Sequence, residues 1–155
     1  MHNKSYPKSI QLNDEQILER AVEILAGRFV REDCFNNVEV TKEYVRVKLG
    51  QYEREVFAVL LLDNQHQLIE YQELFYGTID TASVYPREVV KAVLQSNAAA
   101  IIFAHNHPSG ITLPSQSDKA ITTKLVEALK LIDVRVLDHF IVGKDVTSFA
   151  EQGLI

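Results

Sequence analysis

Residues 98–118 read AAAIIFAHNHPSGITLPSQSD. Ala98 to Ala104 form a continuous apolar run, too short for a typical helix and placed directly after a helical pattern. Such a run predicts a strand buried on both faces. It stops at His105, and a polar loop containing Pro108, Gly110 and Pro114 follows. From Ser117 to Asp133 helical spacing returns through Ile121, Leu125, Ala128, Leu129 and Ile132. A doubly buried strand feeding a helix belongs to a layered α/β architecture.

Working outward, Pro86 suits the first position of a helix, and Val89, Val90, Val93 and Leu94 continue one apolar face until Asn97. Glu55 to Asp63 (EVFAVLLLD) is short and apolar, and Asn64 and Gln65 turn the chain into Gln67 to Phe75. That pair predicts a hairpin. Nearer the start, Asn13 and Gln16 form a capping-box pattern before Ile17, Ala21, Ile24 and Leu25, which predicts a helix ending near Gly27. Thr41 to Leu49, stopped by Gly50, reads as a helix, although Val45 and Val47 suit a strand equally well. Val134 to Val142 (VRVLDHFIV) alternates as a strand, and Gly143 to Asp145 turn it into a last short strand near Val146 to Phe149. The expected fold is a layered α/β sandwich, one mixed sheet flanked by helices.

With 155 residues, 46% of them hydrophobic and 24% charged, the chain has the composition of one ordinary globular domain. No repeat or Pro/Gly/Ser linker divides it. Its single cysteine, Cys34, rules out an internal disulfide framework and a multi-cysteine zinc cluster, which fits a reducing cytoplasm. Cys34 lies beside Arg31, Glu32 and Asp33 with no histidine within three residues, so nothing marks it as a nucleophile. No apolar run reaches the length of a membrane span, and the stretch Met1 to Gln11 is too polar for a signal peptide. The net charge of −5 opposes attraction to phosphate, so tight DNA binding is not expected.

The chemistry concentrates at the end of the buried run. On a strand, His105 and His107 point to the same face, about 6 to 7 Å apart along it. Two imidazoles so placed can share one metal, and Asp118 can return across the loop to supply an oxygen ligand. A fourth, open position would take water, as hydrolytic zinc requires. The base beside that water is Glu55, which precedes a buried strand, or its competitor Glu73. Ser115, three residues before Asp118, can donate to an oxyanion.

Each residue also has a plainer reading. Ser115 and Asp118 fit a capping box that closes a helix start, and the two roles can coexist. Glu55 alone is an ordinary strand-edge carboxylate. Asp138 and His139 are adjacent, so on a strand they face opposite sides and cannot hold one ion. His139 is therefore expected to be a satisfied structural histidine.

His105, His107, Pro108, Ser115 and Asp118 stand at the spacing His-x-His-Pro, six residues, Ser-x-x-Asp. This pattern resembles the signature of the JAMM (MPN+) metalloprotease domain. Glu55-Val56-Phe57, Leu74 to Ile79, Ser83 to Val90, Asn97 to Ala100 and Leu137-Asp138-His139 resemble its RadC-like branch in particular. The resemblance covers residues 33–155 and leaves residues 1–32 as an N-terminal tail and helix. It implies a three-layer, cytidine-deaminase-like sandwich with one zinc ion held by His105, His107 and Asp118 and a water. It also implies Glu55 as general base and Ser115 as the motif serine. Longer RadC-like proteins place a helix-hairpin-helix type segment before this domain; the helix near Asn13 to Gly27 does not match one.

Together these readings predict a cytoplasmic zinc-dependent hydrolase of peptide or isopeptide amides, with a protein or peptide as substrate. The alternatives are a zinc-stabilised interaction module without catalysis and a DNA-associated accessory protein. The last would need a basic patch from Lys4, Lys8, Arg28, Arg31, Arg46 and Lys48, which are scattered among acids.

Overall fold

The structure, a computed structural model, describes residues 11–31, 37–79 and 83–155. Cys34, the expected boundary at residues 32 and 33, and the tail through residue 10 fall outside these described residues. Among the described residues nine elements follow one another: α1 (Asp14–Arg31), α2 (Val38–Leu49), β1 (Val56–Leu62), β2 (Leu68–Tyr76), α3 (Pro86–Ser96), β3 (Ala100–Asn106), α4 (Gln116–Lys130), β4 (Arg135–Val142) and β5 (Val146–Ser148).

The strands form one mixed sheet in the order β2-β1-β3-β4-β5. β1 pairs antiparallel with both β2 and β3, whereas β3 and β4, separated by α4, run parallel. All seven β1 residues are buried, and their alternation divides the core. Val56, Ala58, Leu60 and Leu62 pack with Leu25 of α1 and Tyr44, Val45 and Leu49 of α2. Phe57, Val59 and Leu61 face Val89 and Val93 of α3 and Ile121, Leu125 and Leu129 of α4. The result is three layers, helices on both faces of the sheet, as the apolar patterning requires.

Local chemistry explains where elements begin and end. Asn13 Oδ1 accepts the Gln16 N–H at 2.8 Å while Asn13 N–H donates to Gln16 Oε1 at 3.1 Å, closing the capping box of α1. α1 runs on to Arg31 instead of ending near Gly27, because one interior glycine costs only about 1 kcal/mol. α2 starts at Val38, earlier than Thr41, since Asn37 Oδ1 accepts the Val40 N–H. α4 stops at Lys130 and leaves Asp133 in the left-handed region.

β3 is displaced at both ends: it begins two residues later than the apolar run and includes His105 and Asn106. Asn97 caps α3 in the left-handed conformation, and Ala98 N–H returns to Val93 O, so the chain is still leaving the helix there. At the other end Asn106 extends the pairing with its side chain. Its Oδ1 accepts the Val56 N–H at 2.7 Å, and its Nδ2 donates to Tyr52 O and Arg54 O. His105 thus lies inside the sheet, on the face covered by α3 and α4, while Asn106 faces the other way.

Candidate metal centre

His105 is fully buried in β3, and the chain leaves the strand through His107, whose N–H donates to Val142 O at 2.8 Å. The turn that follows is clamped to the β4–β5 connection. Lys144 N–H donates to Gly110 O, and a side chain at Gly143 would place its Cβ 2.5 Å from that same oxygen, so only glycine permits the approach. Ser115 then starts α4 with a complete capping box: its Oγ accepts the Asp118 N–H at 3.0 Å, and its own N–H donates to Asp118 Oδ2 at 2.8 Å. The box fixes the Asp118 carboxylate as well as the helix start.

These elements bring His105, His107 and Asp118 together. His105 Nε2 and His107 Nε2 are 3.0 Å apart, Asp118 Oδ1 is 3.1 Å from the first, and Asp118 Oδ2 is 3.3 Å from the second. A tetrahedral ion bonded at about 2.0–2.1 Å separates its ligand atoms by about 3.3 Å. The donor set fits for a second reason. His107 Nδ1 lies 2.7 Å from Ile111 O, which can only accept, so the ring proton belongs on Nδ1 and Nε2 keeps its lone pair. A lone pair and a carboxylate aimed at one another need a cation between them.

The titration of the cluster follows the same demand. The Asp118 hydrogen bond raises the His107 pKa, and burial opposes it only in part. Burial pushes the Asp118 carboxyl up, but hydrogen bonds to His105, His107 and the Ser115 N–H outweigh it and hold the group well below the usual carboxylate range. His107 is 16% exposed and forms the open edge of the cluster, beside a cleft of about 320 Å³ lined by Tyr52, Asn106, Gly110 and Lys144 among others.

Glu55 lies one residue before β1, on the face of Phe57, and continuing the Phe57–His105 pairing sets it opposite His107. Its charge contributes to raising the His107 pKa, and its Oε2 accepts the Ile79 N–H at 2.5 Å. Glu73 is on the other side of the sheet. It pairs with Ala58, and its carboxylate accepts hydrogen bonds from the hydroxyls of Tyr52, Tyr71 and Tyr76. The sheet thus separates the competing base from the cluster. Ser115 is exposed at the mouth of α4.

His139 is buried with both ring nitrogens partnered, the satisfied structural histidine expected, and its partners tie it to the cluster. Asp138 and His139 do face opposite sides: Asp138 accepts from Ser148 Oγ and from the His139 and Ala150 N–H groups, tying β4 to β5 and the chain beyond. His139, however, lies behind the metal-type cluster, with Nε2 2.7 Å from His105 Nδ1 and Nδ1 2.6 Å from Thr122 Oγ1. Sequence reasoning missed both His139 and Thr122 at this site. The available signal was a second histidine on a strand of the same sheet, but the parallel register of β3 and β4, which pairs His139 with Phe103 and so sets it diagonal to His105, has no local signature.

Fold and cluster together define a layered α/β domain with a His-His-Asp centre able to hold a metal ion. Residues 35–154 match the RadC-like JAB domain, and the chain belongs to that family. It is 64% identical over 148 residues to a UPF0758 protein of Vibrio cholerae, covering 96% of this chain and 94% of that one. A second UPF0758 protein of Vibrio cholerae is 59% identical over the same coverage. A longer UPF0758 protein of Marinomonas is 56% identical over 142 residues, which is 91% of this chain and 63% of its own length.

Proposed function

We propose that the protein is a zinc-dependent hydrolase of peptide or isopeptide amides, acting in the cytoplasm on a protein or peptide substrate. The observation that carries this reading is the convergence of two imidazole Nε2 atoms and one carboxylate on a single point, beside Glu55. His105, His107 and Asp118 would hold the zinc ion, whose Lewis acidity would activate water and polarise a carbonyl. Glu55 takes a proton from the attacking water and returns one to the leaving amine, so amide and water become carboxylate and amine without net proton loss to the residue. The Ile79 N–H holds the Glu55 carboxylate in place. Ser115 Oγ accepts from the Asp118 N–H, which leaves its hydroxyl hydrogen to donate to the developing oxyanion.

The test pairs elemental analysis with a screen of peptide and lysine-isopeptide libraries. About one zinc per chain and cleavage abolished by a chelator are expected. Zinc content below about 0.2 per chain that does not recover when zinc is added would remove the proposal. Full zinc occupancy with no cleavage anywhere in the screen would favour a zinc-stabilised interaction module instead.

A further inference from the structure

His139 is fully buried, and aromatic rings surround it: Phe149 at 4.7 Å, Phe57 at 5.7 Å and Phe103 at 5.8 Å between centroids. In this apolar setting its two ring nitrogens have one polar contact each, His105 Nδ1 and Thr122 Oγ1. Thr122 Oγ1 is in turn 2.6 Å from Asp118 O, one turn back in α4. The resulting chain of hydrogen bonds starts on one member of the cluster and ends on another. It crosses from β3 through β4 to α4.

The protons in such a chain are not independent. A carbonyl oxygen only accepts, so the Thr122 hydroxyl hydrogen goes to Asp118 O, and Thr122 Oγ1 must accept from His139 Nδ1–H. A neutral imidazole has one ring hydrogen, which leaves His139 Nε2 bare and able to accept only from His105 Nδ1–H. His105 then presents Nε2 as a lone pair. With the chain reversed, hydrogen would stand on His105 Nε2 and block it as a ligand.

Resting on the metal-centre reading above, we infer that His139 and Thr122 are positioning residues that fix the Nδ1–H tautomer and ring orientation of His105 for a metal ion. Partners behind a metal-bound histidine set its tautomer and basicity in this way, and losing one typically lowers metal affinity about 10- to 100-fold. The site therefore extends to a third strand and to a hydroxyl that never meets the metal.

The test uses the full chain, with zinc affinity measured by competition against a chromophoric chelator and folding monitored by circular dichroism. His139→Leu, which keeps the core apolar, is expected to lower affinity about 10- to 100-fold. His139→Gln, whose amide can accept from His105 and donate to Thr122, is expected to restore most of it. Thr122→Val should weaken binding in the same direction and Thr122→Ser should restore it, which keeps the inference testable if His139→Leu does not fold. In the zinc-loaded wild-type protein, long-range ¹H–¹⁵N spectra should show His139 protonated at Nδ1. Wild-type zinc affinity with His139→Leu and Thr122→Val both folded and within about twofold of it, or His139 protonated at Nε2, overturns this inference alone. A wild-type protein that binds no zinc overturns the metal-centre reading and this inference with it.

Discussion

The two faces of the sheet each carry a carboxylate among polar side chains, half-buried Glu73 on one and buried Asp118 on the other, and the two clusters are opposites in hydrogen-bond supply. On the α1/α2 face Glu73 receives three tyrosine hydroxyls, each a donor, so its charge is satisfied from within the protein. Burial, followed by the Glu73 hydrogen bond and charge, pushes the Tyr52 hydroxyl up to about 12, so it keeps its proton and its donor role. On the α3/α4 face Asp118 meets imidazole nitrogens whose hydrogens are committed elsewhere. Such a cluster is completed only by a proton or a metal. A count of donors against acceptors, and not burial or acidity, separates a structural carboxylate from a ligand.

The sharpest break between the faces is His107→Ala, expected to reduce bound zinc from about one per chain to below about 0.2, read by elemental analysis. Glu73→Gln, on the other face, should leave zinc content unchanged and lower stability by about 1–3 kcal/mol through impaired tyrosine hydrogen bonds. Loss of zinc in Glu73→Gln would undo the distinction. Next in size, Glu55→Gln should keep metal and fold but lower the cleavage rate about 10²- to 10⁴-fold, because Gln preserves shape and cannot accept the proton. If Glu73→Gln is instead the variant that stops cleavage, the base is on the other face.

Ser115→Ala should cost about 10²-fold in kcat if the hydroxyl serves the oxyanion, and about 1 kcal/mol through the lost cap. An unchanged kcat with a lower Tm assigns Ser115 to capping alone. The pH dependence is smaller per unit and has a definite sign. In metal-free protein the raised His107 pKa gives stability that is full below about 6.5 and lost as pH rises through the folded value. The lowered Asp118 pKa gives stability present above about 3.9 and lost as pH falls through its folded value. Metal-free protein should therefore be most stable between about pH 4 and 6.5, by thermal melts across pH. Zinc must displace the His107 proton, so its affinity should rise about tenfold per pH unit below that pKa and then level off. An affinity flat from about pH 5 to 7 would remove that proton from the competition.

The smallest expected effect is on nucleic acid: anisotropy titrations at about 150 mM salt should show DNA binding weaker than about 10⁻⁴ M. Micromolar affinity with a steep salt slope would bring forward the DNA-associated reading.

Much of the layering was legible because β1 and the β3 run are apolar throughout, which only a sheet covered on both faces allows. The spacing of His105, His107 and Asp118 was legible because strand alternation and a capping box are local rules. Which glutamate joins them was not. Ala58 faces Glu73 and Phe57 faces Phe75 only because of an irregularity in the β1–β2 register, which sequence alternation cannot locate. His139 escaped for a related reason: alternation compares neighbours such as Asp138, whereas its partner His105 is 34 residues away on a parallel strand.

The Asn106 side chain, which joins residues 52, 54 and 56 to the end of β3, has a consequence for how the molecule opens. A strand end of this kind ordinarily frays within local fluctuations, exposing its amides one by one. Here the segment carrying Glu55 cannot peel from the strand carrying His105 without breaking the three bonds to one buried amide group. The Val56 amide should therefore exchange with solvent hydrogen as slowly as the central core, in larger cooperative openings. The carboxylate and the imidazoles share one kinetic unit, so any motion that admits a substrate must come from elsewhere on the rim.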